Sequence, residues 1–413
     1  MFLYNNRVSA DAILFAGRCA TIVLTLLLGI LLFLWTRWRA GNAAGLIAVV
    51  LFAFDPNIIA HGRYATNDLA VAAFSFAAIV AFERALSGGR FHFYVLAGLA
   101  LGAAMATKLS ALFVLPVLAV LALVRCKDLR ALSYGTAACA AAALAVMLTV
   151  SHGDTTLYTD GISATFAHEQ GGQLSYLFGM ESTQGWWWYF PAAFVLKSPL
   201  GLLVLVMLAA VLLTRHVREL GELMVLIVPI SVYGTLCLFD RADIGIRYLL
   251  PIYPFLFSLT AIACARYAPR ALTIACLVAI VIESTAVFPS YLAFFNVLVG
   301  GPGSGPRYLL DSNIDWGQDA KRLATWLANH GTHDACISYF GTVPVEYYGI
   351  RQIAYPPRQA VVAAGKAPKC YTAISANYLY GDRILGSTNN RWLRSRPPLA
   401  KVGYSIYVYD LGR

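Results

Sequence analysis

Apolar runs recur at about ten places in the first 290 residues: near 12–35, 43–60, 67–86, 92–107, 109–125, 131–150, 192–214, 221–239, 248–266 and 270–289. A bilayer core of ~30 Å takes ~20 residues of helix, because each residue rises ~1.5 Å and backbone polar groups must pair within the segment. The chain of 413 residues is 59% hydrophobic and only 13% charged. A soluble globule carries about a quarter charged residues. These runs therefore predict an α-helical polytopic membrane protein of about ten spans. The run pair around Thr107-Lys108 predicts two short helices meeting in a shallow corner.

The formal net charge is +10, but the position of the charge decides its meaning. Arg37/Arg39, Arg84/Arg90, Arg125/Lys127/Arg130, Arg215/Arg218 and Arg266/Arg270 fall in every second loop, a set that lies on one side. Basic residues in short loops mark the cytoplasmic face. This is the pattern of membrane orientation rather than phosphate-backbone binding, so no nucleic-acid partner is expected. The other loops hold Arg63, Lys108, the long 151–191 stretch and Arg241/Arg247. They face outward, in a multi-pass protein of the inner or plasma membrane.

Beyond Pro289 the character changes. "GGPGSGP" (Gly300 to Pro306) carries turn chemistry throughout and reads as a linker. "DAKRLATWLANHG" has helical periodicity and stops at Gly331, while "ACISYFG", "CYTAISA" and "YSIYVYDL" read as strands. We expect residues 1–290 to form the transmembrane domain, with an external loop at 151–191. Residues 291–413 should form a small extracytoplasmic α/β domain. The eight cysteines lack paired metal spacing, so no metal or other cofactor is expected. Cys336 and Cys370 lie in the polar C-terminal part and can pair if it faces an oxidising compartment.

Charge beside hydrocarbon carries the functional signal. An ionised side chain at mid-bilayer costs about 2.5–3.5 kcal/mol on insertion scales, so such groups face wet cavities or do work. "FDPNIIAHGRYATNDLAVAAF" places Asp55, His61, Arg63 and Asp68 at one bilayer lip. Asp68 opens a span, either as a helix cap or as a reactive carboxylate. Asp55 before Pro56 fits a turn-starting role. The 151–191 loop brings Glu181 and "GWWWYFP", where Trp187 belongs either to an interfacial belt or to a stacking platform for sugar or isoprenoid. Lys197 in "FVLKSPLGLL" either snorkels or meets a phosphate. Arg247 in "DRADIGIRYLLPIYP" suits forked hydrogen bonds to phosphate, or a salt bridge to Asp240 or Asp243. Asp315 in "DSNIDWGQD" lacks calcium-loop spacing and reads as part of a helix cap or an acceptor contact.

"PNIIAHGRYATNDLAVAAF", "GQLSYLFGMESTQGWWWYFPAAFVLKSPLGL", "IGIRYLLPIYPFL" and "LLDSNIDWGQDAKRL" together resemble GT-C-type bacterial membrane glycosyltransferases. The nearest group is the phospholipid-carrier-dependent one, akin to protein O-mannosyltransferases and aminoarabinose transferases. The resemblance runs along nearly the whole chain. It implies transfer of a sugar from a polyprenyl-phosphate donor to an acceptor at the outer face, with inversion. It also implies a carboxylate at the start of a span, which Asp68 matches. The site set expected on residues and resemblance together is Asp68 as catalytic group. His61, Arg63, Lys108, Glu181, Trp187, Lys197, Arg247 and Asp315 are expected as substrate-binding groups. The family's acidic first loop, usually an Asp-Glu pair, has no counterpart in "MFLYNNRVSADAILFAGR", where Asp11 is no substitute. An even span count with an external C-terminus points the same way: either a span and loop precede Met1, or one counted run is not a span. Two rival functions remain at this stage. A flippase of lipid-linked substrates would place polar groups mid-membrane within inverted repeats. An inactive chain with a glycan-binding external domain would bind without turnover.

Overall fold

The computed structural model describes residues 3–88, 90–355, 370–382 and 390–411. Among them five helices are long and apolar enough to cross a bilayer: Ala10–Ala53, Asp68–Gly88, Leu129–Val150, Val217–Phe239 and Ile246–Tyr267. The shorter apolar helices His92–Thr107, Leu109–Arg125 and Leu200–Arg215 pack beside them. The protein is a multi-pass helical membrane protein with a small sheet near its C-terminus.

Helix α1 (Ala10–Ala53) covers two of the expected runs. It reverses at Ala40 and Gly41, where Gly41 adopts φ +83°, a conformation that glycine reaches without a side-chain clash. Its two arms lie side by side: a Cβ on Gly29 would stand 3.0 Å from the Phe52 ring. Asp55 then caps α2 (Pro56–Gly62), accepting from the backbone N–H of Asn57 at 2.9 Å and Ile58 at 3.0 Å. Helix α3 (Asp68–Gly88) follows, then α4 (His92–Thr107), which ends at Lys108. The corner expected there exists: a 3-10 turn, Leu109–Phe113, leads into α5 (Val114–Arg125).

Close packing between α4 and α6 (Leu129–Val150) rests on Gly98 and Gly102, four residues apart. A Cβ on Gly98 would collide with the carbonyl of Cys139, and one on Gly102 with that of Ala143. Small residues at this spacing let helix backbones approach closely in lipid.

Three expectations change. The 151–191 loop is largely ordered as α7 (Thr156–Gly171) and a hairpin of β1 (Ser175–Leu177) and β2 (Met180–Ser182). The run at 192–214 is broken at Ser198-Pro199 into α8 (Tyr189–Lys197) and α9 (Leu200–Arg215), because proline cannot supply the N–H that a continuous helix needs there. The 300–306 segment is not a free linker. Gly305 and Pro306 are buried, and a side chain at Gly305 would overlap the Phe295 ring.

After α10 (Leu220–Phe239), α11 (Tyr253–Tyr267) and α12 (Arg270–Ala286), the chain forms α13 (Ala320–Asn329) and a five-stranded sheet. Its strands are β3 (Asp334–Ser338), β4 (Arg351–Ile353), β5 (Tyr371–Ser375), β6 (Ala400–Val402) and β7 (Ile406–Tyr409), in the order β4-β3-β5-β7-β6. β3 runs parallel to β4 and β5, while β7 runs antiparallel to β5 and β6. Leu323, Leu327, Ile337, Ala373 and Val408 form the core between α13 and this sheet. Cys336 and Cys370 are joined as a disulfide, with Cα atoms 5.8 Å apart. The helix and three of these strands match the sequence patterns. The short edge strands β4 and β6, of three residues each, carry too little alternation to be read.

Candidate functional site

Polar groups collect at the two ends of the bundle. At one end Glu83 of α3 is sealed among Arg125 at 2.7 Å and Arg39 at 3.6 Å, which ties α1, α3 and α5 together. At the other end lies a cluster of charged and aromatic side chains drawn from four separate pieces of chain.

Asp68, the first residue of α3, is 1% exposed. Its carboxylate does not serve its own helix as a cap. Oδ1 accepts from Lys108 Nζ at 2.9 Å, and Oδ2 stands 3.6 Å from Arg247, with no hydrogen-bond partner among the described residues. Lys108 reaches Asp68 from the corner after α4, and its ammonium lies 4.4 Å from the centre of the Tyr248 ring. The Arg247 guanidinium lies between the rings of Tyr248, at 5.1 Å, and Trp316, at 4.9 Å. Such faces attract cations by about 0.5–2 kcal/mol each. His61 of α2 stands edge-on to Trp316 at 5.5 Å and within electrostatic reach of Asp68, Lys108, Lys197 and Arg247. Both its ring nitrogens are buried and lack a hydrogen-bond partner among the described residues. Tyr64 closes the group, 5.9 Å from Trp316, with the Arg63 guanidinium 5.1 Å from its ring.

Two loops that interlock hold Arg247 and Trp316 in place. Asn313 accepts from the backbone N–H of Ile246 at 3.0 Å and donates to Tyr189 Oη at 2.9 Å. Ser312 donates to the carbonyl of Ile244 at 2.6 Å, and the space beside Gly245 is filled by that hydroxyl. Asp243 accepts from the Trp186 N–H at 2.6 Å, which pins the tryptophan run to the Arg247 loop. Burial pushes the Asp243 carboxyl up to about 7, against the lowering pull of that N–H.

Of the residues expected from the sequence, Asp68, Lys108, Arg247 and His61 share this cluster, and Arg63 borders it through Tyr64. The other four lie elsewhere. Lys197 is 1% exposed and its ammonium is taken up by the carbonyls of Leu292 at 2.8 Å and Asn313 at 2.5 Å, over the Phe295 ring. Glu181 accepts from the backbone N–H of Asp382 at 2.6 Å, on the β1–β2 hairpin. Trp187 is 70% exposed, on the outside of its loop, while Trp188 stacks on Phe178. Asp315 caps no helix: its Oδ1 accepts from the Gly317 N–H at 2.8 Å, holding the turn that carries Trp316. With no cation beside it, burial raises its carboxyl to about 8. The aromatics Tyr64, Tyr248 and Trp316 are the site residues that the sequence reading passed over. Each adjoins a charged residue that it had singled out, and that adjacency is the signal available.

No group of three or more His, Cys, Asp or Glu side chains among the described residues is arranged to hold a metal. The cluster thus brings together a carboxylate, two cations and aromatic faces, groups of the kind that bind a phosphate.

A family model described as dolichyl-phosphate-mannose-protein mannosyltransferase matches residues 3–163. The crystal structure of ArnT from Cupriavidus metallidurans in the apo state is similar, with TM-score 0.53 and 16% identity over 95% of this chain and 82% of that one. A second ArnT structure, bound to undecaprenyl phosphate, gives TM-score 0.49 and 14% identity, over 96% and 85% of the two chains. No curated protein sequence matches the chain. The resemblance to GT-C-type membrane glycosyltransferases thus rests on a family model as well as on the motifs, and the fold is that of ArnT.

Proposed function

We propose that the protein transfers a sugar from a polyprenyl-phosphate carrier to an acceptor hydroxyl, with inversion, at the outer face of the membrane. The observation that carries this reading is the buried Asp68 carboxylate held between Lys108 and Arg247 in one cluster. The family match over residues 3–163, which covers α3 and Lys108, supports it. Residues 291–413 then stand as the extracytoplasmic domain, which lends Trp316 to the site.

In such a transfer the acceptor oxygen attacks the anomeric carbon from the face opposite the phosphate. The bond to the phosphate oxygen breaks as the new glycosidic bond forms. Asp68 takes the acceptor proton through Oδ2, the oxygen with no hydrogen-bond partner. Lys108 and Arg247 stabilise the charge that gathers on the leaving lipid phosphate. An inverting displacement forms no covalent sugar–enzyme intermediate, so no nucleophile is required. The rings of Trp316 and Tyr248 hold both the guanidinium and the sugar face.

Incubation of the purified protein with a radiolabelled polyprenyl-phosphate sugar and a membrane extract as acceptor source tests the proposal. Label should leave the carrier and appear on an acceptor. Binding of the carrier without any turnover would replace the proposal by a binding role.

A further inference from the structure

Two histidines at helix ends bond back along their own helices. Nδ1 of His216 lies 2.8 Å from the carbonyl of Leu212, and Nδ1 of His330 lies 2.8 Å from that of Trp326, each four residues back. His61, in the last turn of α2, departs from this pattern. It is 1% exposed, and Nδ1 and Nε2 are both buried without a hydrogen-bond partner among the described residues. No other described side chain has two buried polar atoms in that condition. An unmet buried donor or acceptor costs the full desolvation of that group, so nearly all such groups in folded proteins have partners. The missing partner of His61 is therefore something that binds.

The surroundings narrow what that partner is. Burial keeps the ring uncharged, against the pull of Asp68 and with the aid of Lys197, Arg247 and Lys108. A neutral imidazole donates through one nitrogen and accepts through the other. An ionised phosphate diester only accepts, and Lys108 and Arg247 already stand ready for its charge. A sugar hydroxyl both donates and accepts, which matches the ring. His61 also stands edge-on to Trp316, with centroids 5.5 Å apart and planes at 85°. Trp316 is the ring to which the sugar-transfer reading assigns the sugar face, so the imidazole borders that position.

We propose that His61 contacts the substrate: its imidazole hydrogen-bonds a hydroxyl of the transferred sugar beside Asp68, and so helps to select which sugar is accepted. The proposal rests on the sugar-transfer reading. It carries a consequence that a packing role does not share. Without substrate the unmet ring lowers stability, so an apolar side chain of similar size is tolerated in the free protein and harmful only to sugar recognition.

The test is the melting temperature of the full chain in detergent, together with Kd titrations of bare polyprenyl phosphate and of a panel of polyprenyl-phosphate hexoses and pentoses. The wild-type chain should bind at least one sugar-bearing carrier more tightly than the bare one. His61→Leu should melt no lower than wild type without ligand and bind the bare carrier unchanged. It should bind the preferred sugar-bearing carrier about tenfold more weakly, the size of one lost hydrogen bond. His61→Gln, whose amide both donates and accepts, should keep part of that preference. A His61→Leu chain that melts clearly lower without ligand overturns the proposal and makes His61 a packing residue. A His61→Leu chain that separates sugar-bearing from bare carrier as well as wild type also overturns it, and leaves the sugar-transfer reading standing. So does a wild-type chain that binds every sugar-bearing carrier no more tightly than the bare one. If no carrier of either kind binds the wild-type chain, the sugar-transfer reading itself falls, and the proposal with it.

Discussion

Asp68 and Lys108, forty residues apart in sequence, meet at 2.9 Å with the carboxylate 1% exposed. The contact joins the start of α3 to the corner after α4, and Arg247 at 3.6 Å adds the loop before α11. Breaking a buried pair by removing one partner costs about 3–5 kcal/mol, because the other charge stays buried. Lys108 is 22% exposed and Arg247 remains nearby, so the cost should be smaller here. We expect Lys108→Met to lower stability by roughly 1–3 kcal/mol, and to reduce sugar transfer far more than the fall in folded protein explains. A double-mutant cycle with Asp68→Asn, read by thermal unfolding in detergent, should give a non-zero coupling.

Lys197 is the counter-case. Its ammonium bonds two backbone carbonyls, and its own carbonyl accepts from Asn57 Nδ2 at 2.8 Å. Lys197→Met should therefore lower the melting temperature clearly, while the folded fraction keeps its affinity for the donor. A variant with normal stability and a raised donor KM would return Lys197 to phosphate binding.

These two lysines mark what the sequence could and could not yield. Both sit at a bilayer lip beside apolar runs and read alike in one dimension. What separates them is where the chain breaks: the Thr107-Lys108 corner brings the Lys108 ammonium to Asp68, while Ser198-Pro199 ends α8 and the Lys197 ammonium is buried against the 290–313 segment. The membrane class, Asp68 and Arg247 were legible because ionised groups beside hydrocarbon are costly wherever they occur. Trp316 and Asn313 were not, because their value arises from loops 240–247 and 311–316 interlocking, a contact between distant stretches. Helix α7 reads as a loop because its apolar residues, such as Leu157 and Ile162, form no continuous stripe.

Asp315 gives a pH signature outside the membrane-spanning segments. Its carboxyl is raised to about 8 by burial, from an unfolded value of about 3.9. Between these values the folded state binds the extra proton, so stability falls as pH rises. The contribution is fully present below about 4 and is lost as pH climbs through about 8. The melting temperature of the wild-type chain should decline over that window. Asp315→Asn should flatten the decline and be the more stable of the two at the alkaline end. An unchanged slope would show that the carboxyl is already ionised when folded.

Packing in the bundle yields a prediction that is independent of function. A side chain at Gly98 would meet the backbone of α6 at Cys139. Gly98→Val should cost about 1–3 kcal/mol by overpacking. Gly221→Val, with nothing within 4 Å, should cost much less. Thermal unfolding of the two variants side by side checks the difference.

The central claim is that the cluster around Asp68 carries the chemistry, and the initial rate of sugar transfer from a polyprenyl-phosphate donor by Asp68→Asn tests it most directly. Loss of a general base predicts a fall of about 10²–10⁴-fold in kcat with the donor still bound. A variant that folds and transfers sugar at the wild-type rate would contradict the account.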